Sequence, residues 1–290
     1  MKYRDRQGHT YKVTTKQDRL LNDAYDSYIG RSLLEIASLP ALSKLSRKVL
    51  SSRMSSGFIE QFAENNKIDM FDYEDKQYTS FNDFFTRKIK EGRRYFEPDE
   101  KKLVSPSDGK VSAYAITNAN SFVIKNSVYN VESLLRDKKL AAKYAGGYAL
   151  VIRLSVDDYH RYIYPLSGIK SHDRVIEGFL NTVNPVANRH VEVYKENTRH
   201  YCMIRTEHFG DVIQMEVGAL LVGRISNHHP WGNHRVRQGE EKGYFEFGGS
   251  TIVLLLEKGK AIVDEDLLKN TEDGCETKVL QGEQLAVCNS

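Results

Sequence analysis

Residues 250–256, Ser-Thr-Ile-Val-Leu-Leu-Leu, form the most constraining segment of the sequence: a continuous apolar run of buried-strand length that follows directly on Gly248-Gly249. Two further segments, Val-Ile-Arg-Leu-Ser-Val over 151–156 and Val-Ile-Gln-Met-Glu-Val over 212–217, alternate as half-buried strands do. Turn signals punctuate them at Ser107-Asp108-Gly109, Ala145-Gly146-Gly147, Ser167-Gly168 and Gly248-Gly249. Before residue 95 the texture differs. Leu33, Leu34 and Ile36, then Leu42, Leu45 and Val49, recur at spacings of three and four, which predicts helix. The expected class is therefore α+β, with a helical region over 1–95 and a mainly antiparallel β domain over 96–290.

The 290 residues suffice for one large domain or two small ones, and a 40% hydrophobic content supplies a core. Forty-two basic against 39 acidic residues give a net charge of +3, too balanced for a chain that coats nucleic acid. Cys202, Cys275 and Cys288 are odd in number and lack C-x-x-C spacing, which argues against a disulfide framework or a structural zinc site and fits a reducing compartment. The N-terminus carries charges where a signal peptide needs an apolar run, and no stretch of about 18 apolar residues occurs. The helical segment from Ala41 to Arg53 holds Lys44, Arg47, Lys48 and Arg53 with no acidic residue. A basic face beside a leucine stripe suits a helix lying on an anionic membrane, although an ordinary surface helix has the same pattern.

Several short segments carry groups capable of chemistry. In Phe247-Gly248-Gly249-Ser250-Thr251 the glycines permit backbone angles closed to other residues, so the Ser250 hydroxyl could be brought against the Gly249 carbonyl. Attack there converts the peptide to an ester, and elimination and hydrolysis break the chain and leave a ketone-bearing pyruvoyl group at position 250. Such a group condenses with a substrate amine and acts as an electron sink for decarboxylation. By itself the same tetrad is more often a turn before a strand. Asp108-Gly109 reads equally as a tight hairpin turn, and His160, in Asp157-Asp158-Tyr159-His160-Arg161, as a general acid or base or as a structural histidine. Asn227-His228-His229-Pro230-Trp231-Gly232-Asn233-His234 lacks helical i,i+4 spacing and an obvious acidic or cysteine partner, so the expectation there is an exposed loop and no metal. No nucleotide-binding glycine motif is present.

Taken in order, these segments resemble the phosphatidylserine decarboxylase proenzymes. Residues 81–111, FNDFFTRKIKEGRRYFEPDEKKLVSPSDGKV, are similar to that family's F-x-x-F-F-x-R stretch and V-S-P-x-D-G motif. Asp157–Pro165 resembles its D-Y-H-R segment, Val193–Arg199 its asparagine- and arginine-containing segment, Val217–Gly223 its V-G-A-x-x-V-G motif and Lys242–Thr251 its K-G-x-x-x-x-G-S-T cleavage segment. The resemblance implies self-cleavage between Gly249 and Ser250, with Ser250 the nucleophile that becomes the pyruvoyl cofactor. It places Asp108 in the activating apparatus and His160 beside the prosthetic group for proton handling. It further implies a β-barrel-like catalytic domain, membrane-docking N-terminal helices, fragments that stay associated, and conversion of phosphatidylserine to phosphatidylethanolamine by a peripheral protein on the cytoplasmic face of the cell membrane. A homodimer is left open. Arg161 and Arg199 are candidates for the substrate phosphate or carboxylate, since a guanidinium fork suits both, or else members of structural ion pairs.

One position departs from the pattern. Many members carry H-R-x-H, the second histidine completing an Asp-His-Ser triad, whereas this chain reads His160-Arg161-Tyr162-Ile163. Either His160 serves both self-cleavage and turnover, which is the favoured expectation, or His190, Tyr162 or Tyr164 substitutes, or self-cleavage is slow or lost. Two rival readings remain: a pyruvoyl decarboxylase of another amino-headed substrate, and an uncleaved, non-enzymatic lipid-binding relative.

Overall fold

The computed structural model of the chain describes residues 2–12, 46, 48–124, 127–178, 193–218, 224–248 and 250–289. Leu33, Leu34, Ile36, Leu42, Lys44, Leu45 and Arg47 of the expected N-terminal helices, His190 and Gly249 lie outside the described residues.

Strand β16 (Ser250–Leu256) runs through the middle of the largest sheet, antiparallel to β12 (Asp211–Gly218) on one side and β7 (Tyr148–Leu154) on the other. Successive side chains of a strand point to opposite faces, and both faces of this one are covered. Val253 and Leu255 pack in a cluster with Val151, Ile213 and Met215. Ile252, Leu254 and Leu256 join Leu150, Ile152 and Val212. Burial on two faces is the reason the run is apolar without a break.

Beyond β12 the sheet continues through β11 (Arg199–Arg205), β9 (Gly168–Lys170) and β14 (His234–Val236), with β10 (Arg174–Ile176) also on β11. Beyond β7 come β4 (Gly109–Ala115), β18 (Glu276–Val279), β1 (Lys2–Arg4) and β2 (Thr10–Lys12). Among its ladders β1–β18 alone is parallel. The mainly antiparallel α+β expectation holds, but the sheet is an open path from β14 to β2 and not a closed barrel among the described residues. Its end strands are three residues long and offer few backbone groups for further pairing.

One face carries α3 (Val131–Leu135), α4 (Lys138–Ala142), α5 (Val193–Glu196) and the ladder of β5 (Ser121–Ile124) with β6 (Ser127–Asn130). The other carries α6 (Glu265–Glu272) and the small sheet of β17 (Ala261–Val263), β19 (Gln284–Cys288) and β3 (Lys102–Val104). The helical reading of residues 1–95 does not hold at its start. Strands β1 and β2 form a hairpin, with Asp5 Oδ1 accepting the Gln7 and His9 amides in the turn and Tyr3 stacked on Tyr11 at 5.1 Å. Later in the region lie the 3-10 turns Arg53–Phe58 and Met70–Asp72 and the helices α1 (Ile59–Asn65) and α2 (Phe81–Phe85). The Ser80 hydroxyl caps α2 by accepting the Asp83 amide.

A further sheet, β13 (Ile225–Asn227), β15 (Glu241–Phe245) and β8 (Arg161–Ile163), lies against the polar side of β12. Gly243 is needed there, since a Cβ would fall 2.1 Å from the Ser226 carbonyl oxygen across the ladder. Gln214 and Glu216, which alternation predicts to face solvent, are wholly buried. Lys242 donates to Glu216, and Gln214 Nε2 donates to the Ile163 carbonyl at 3.1 Å. Asn227 joins this pair to a second one by donating to Asp173, which faces Lys170 at 3.0 Å. Charges buried this deeply persist only when paired. Lys242→Met, which strands Glu216, is expected to cost about 3–5 kcal/mol in urea unfolding, whereas Lys242→Met combined with Glu216→Leu recovers most of that loss.

Candidate active site

Antiparallel order brings the starts of β4 and β16 and the ends of β7 and β12 to one end of the main sheet. Ser250 pairs there with Leu154 and with Gly218, and Lys110 pairs with Arg153 next to it. The segments 105–108, 155–160 and 247–250 therefore converge at that end. Ser250 is wholly buried and its hydroxyl has no hydrogen-bond partner; the Thr251 hydroxyl is likewise buried and unpartnered. Gly248 has φ +146°, a conformation other residues rarely adopt, as the glycine pair leads one to expect. Helix α2 holds the approach to the pair: the Phe247 amide donates to Asn82 Oδ1 at 3.1 Å, and the Phe247 ring meets Phe81 and Phe85, each at 5.0 Å.

His160 follows β7 by a turn that Asp158 organises. The Asp158 carboxylate accepts the Ser155 amide at 2.6 Å and forms a buried ion pair with Lys110 at 2.7 Å. His160 is itself wholly buried, with Phe85 at 4.1 Å between ring centroids, and its backbone carbonyl accepts the Phe245 amide of β15. Its Nδ1 lies 2.9 Å from the Asp158 carbonyl oxygen, which can only accept, so the proton sits on Nδ1 and Nε2 presents a lone pair. That Nε2 has no partner. Burial pushes the imidazole down to about 3, reinforced by Arg87 and Lys110 and opposed by Asp158. An unpartnered buried hydroxyl at Ser250 and an unpartnered buried imidazole nitrogen at His160 thus belong to segments that one aromatic side chain, Phe85, ties together.

Asp108 meets an arginine and no histidine. Its two carboxylate oxygens receive Arg94 Nε at 3.1 Å and Nη2 at 2.9 Å, and Oδ1 also accepts the Gln281 amide at 2.8 Å. Gln281 Nε2 in turn donates to the carbonyls of Pro106 and Arg161, which fastens the Asp108 loop to β8. At Ile163 the backbone amide donates to the Pro106 carbonyl and the side chain is a buried apolar group. Tyr162 donates its hydroxyl to Asn227. Burial raises both the Tyr162 and Tyr164 phenols well above their ordinary value, so each keeps its proton at neutral pH and neither is a base.

Both candidate arginines are engaged. Arg161 donates to the Thr86 carbonyl at 2.9 Å and to Glu241 at 2.8 Å. Arg199 is wholly buried and donates from Nε, Nη1 and Nη2 to the carbonyls of Leu134, Asn197 and Ser133, closing the C-terminal end of α3. Residues that the sequence reading passes over are Arg94, Lys110, Asp158 and Gln281. Lys110 and Asp158 stand inside the motifs, but their pairing spans 48 residues and has no local signal.

Because His160 has a lower proton affinity in the native than in the unfolded chain, its contribution to stability is complete above about pH 6.5 and is lost as pH falls toward 3. Between pH 7 and pH 5 the wild type is expected to lose about 2 kcal/mol more than His160→Gln, measured as the difference between their urea-unfolding free energies.

Comparison with known proteins meets the same residues. Residues 81–287 match the family model of phosphatidylserine decarboxylase. Phosphatidylserine decarboxylase proenzyme 2 of Clostridium acetobutylicum is 46% identical over 267 residues, 91% of this chain and 90% of that protein. The proenzyme of Ruminiclostridium cellulolyticum is 40% identical over 93% of this chain and 91% of its own length, and that of Clostridium botulinum 37% identical over 99% of each. With a buried serine hydroxyl beginning a central strand after a positive-φ glycine, and with relatives this similar along nearly its whole length, the chain belongs to the phosphatidylserine decarboxylase family.

Proposed function

We propose that the chain is a proenzyme that cuts itself between Gly249 and Ser250 and, once cut, decarboxylates phosphatidylserine to phosphatidylethanolamine. The observation that carries this reading is the Ser250 hydroxyl, buried without a partner at the first residue of β16. In self-cleavage His160 Nε2 takes the proton from Ser250 Oγ as the oxygen attacks the Gly249 carbonyl carbon and the acyl group moves from nitrogen to oxygen. Elimination frees the Gly249 carboxylate, and hydrolysis at residue 250 releases ammonia. Position 250 suits the pyruvoyl group that results, because the adjoining Thr251 hydroxyl is polar capacity that nothing in the described chain satisfies. That group supplies the electron sink for loss of carbon dioxide.

During turnover His160 would return a proton to the carbon that has lost carbon dioxide. Phe81, Phe85 and Phe247 keep water from the site. We assign Arg161 and Arg199 to the framework, since their donors are already committed. Asp108, fixed by Arg94, holds the loop beside the start of β4.

The lipid reading draws support from the N-terminal region. Val49, Met54, Phe58 and Phe71 are exposed, and a groove of about 500 Å³ is lined by Ile59, Ala63, Ile68, Met70 and Phe84. Among the described residues no helix is long and apolar enough to cross a membrane. Docking of these side chains at the acyl boundary of the cytoplasmic face would place the head group toward α2 and His160. The two fragments would remain together, because β16 of the smaller one is paired over Ser250–Leu256 with β7 and over Ser250–Leu255 with β12 of the larger.

Intact-mass spectrometry of the purified chain is expected to give fragments 1–249 and 250–290, the smaller taking up a carbonyl-reactive hydrazine. Both should co-elute on a native sizing column and separate only in denaturant. Ser250→Ala and His160→Ala should each stay whole, with no conversion of phosphatidylserine in vesicles. A wild-type chain that stays whole and binds no hydrazine would leave the non-enzymatic lipid-binding reading; normal cleavage of His160→Ala would refute its dual role.

A further inference from the structure

We propose that His229, His234 and Glu240 form a binding site for a first-row transition-metal dication of the zinc class. The site lies at the β14 edge of the main sheet, four strand steps from β16, roughly 19 Å at ordinary strand spacing. It is separate from the Ser250 centre and does not depend on its chemistry. The acidic partner that the histidine loop lacks in sequence arrives through the turn between β14 and β15.

One ligating atom from each of the three side chains lies within 4.8 Å of the other two. The His229 and His234 rings are stacked at 4.4 Å and 23°. His234 Nε2 stands 3.9 Å from Glu240 Oε1, too far for a hydrogen bond. The gap is nevertheless within the roughly 4.1 Å that two metal–ligand bonds of 2.0–2.1 Å can span. Glu240 Oε2 is occupied, accepting the Arg237 amide at 3.1 Å, so the carboxylate is oriented with Oε1 left for an ion. Independently, His229 Nδ1 is buried with no hydrogen-bond partner.

The backbone under these ligands is held in place. Wholly buried Lys170 donates to the His229 carbonyl at 2.6 Å and the Trp231 carbonyl at 2.9 Å, and the Asp173 amide donates to the Pro230 carbonyl. His234 is paired with Lys170 in the β14–β9 ladder, while the Glu240 carbonyl accepts the Tyr164 amide at 2.9 Å. A site fixed before the ion arrives loses little entropy on binding it. Two imidazoles and one carboxylate suit Zn2+ or Co2+, with a fourth position for water, and not Ca2+ or Mg2+, which prefer oxygen ligands alone. A bound ion would tie the 228–233 loop to the turn that feeds β15, the strand leading into the cleavage segment.

Trp231 is the sole tryptophan of the chain and lies 5.2 Å from His229 and 6.3 Å from His234, so it reports on the site directly. Untagged full-length protein stripped with chelator is titrated with Co2+ while tryptophan fluorescence is followed. Saturable quenching by one equivalent, reversed by Zn2+, is expected. The double variant His229→Gln/His234→Gln and the single variant Glu240→Gln should weaken Co2+ binding by at least about 10-fold, and His228→Gln should not. Thermal melting in chelator checks that each variant is folded; should the double variant not fold, Glu240→Gln decides. Absence of saturable quenching in the wild type, or unchanged affinity in Glu240→Gln, overturns the proposal.

Discussion

The site depends on the burial of β16 between β12 and β7. A strand with apolar side chains on both faces cannot shift by one residue without sending each of them to the opposite face. Its register is also written twice, by Ser250 against Leu154 on one side and against Gly218 on the other. The residue at which the chain enters this strand is therefore located as firmly as the core. The strand cannot slide, so the residue that follows Gly248 and Gly249 in sequence stays at one place in the sheet, as the proposed self-cleavage would require.

Polar groups are placed with comparable economy. Lys242 and Glu216 hold β15 against β12, so the strand that runs toward Gly248 and Ser250 is anchored by a buried charge pair. Lys110 and Asp158 do the same for the turn that carries His160, and Arg94 does so for the Asp108 loop. Each pair joins segments distant in sequence, and each would be costly if either partner were lost. The Ser250 and Thr251 hydroxyls and His160 Nε2 are among the buried polar atoms that such pairing leaves without a partner. At the start of β16 the proposed chemistry would account for the unpartnered atoms. Burial against Phe85 also accounts for the imidazole's low proton affinity, because desolvation penalises its charged form most.

Much of this was legible without coordinates. The period of two in β7 and β12 and the unbroken run of β16 are consequences of which faces are covered, and they read directly as strands. Gly248 reads as a special backbone position because no other residue tolerates its φ. Ser250, His160 and Asp108 stand in motifs whose order along the chain is itself a signal. Three matters were not legible, for one reason. The N-terminal strands, the burial of Gln214 and Glu216, and the open edge of the sheet are all set by contacts between segments far apart, which leave no local period.

What the sequence by itself determined is the set of strands around Ser250 and the motifs in which Ser250 and His160 stand, because local alternation, glycine geometry and motif order are properties of neighbouring residues. What only the tertiary structure decided is which groups face one another. Asp108 meets Arg94, Asp158 meets Lys110, and Glu240 comes up beside His229 and His234 across a turn. Packing chooses such partners by satisfying buried charge and hydrogen-bonding capacity in three dimensions, and no spacing along the chain encodes that choice.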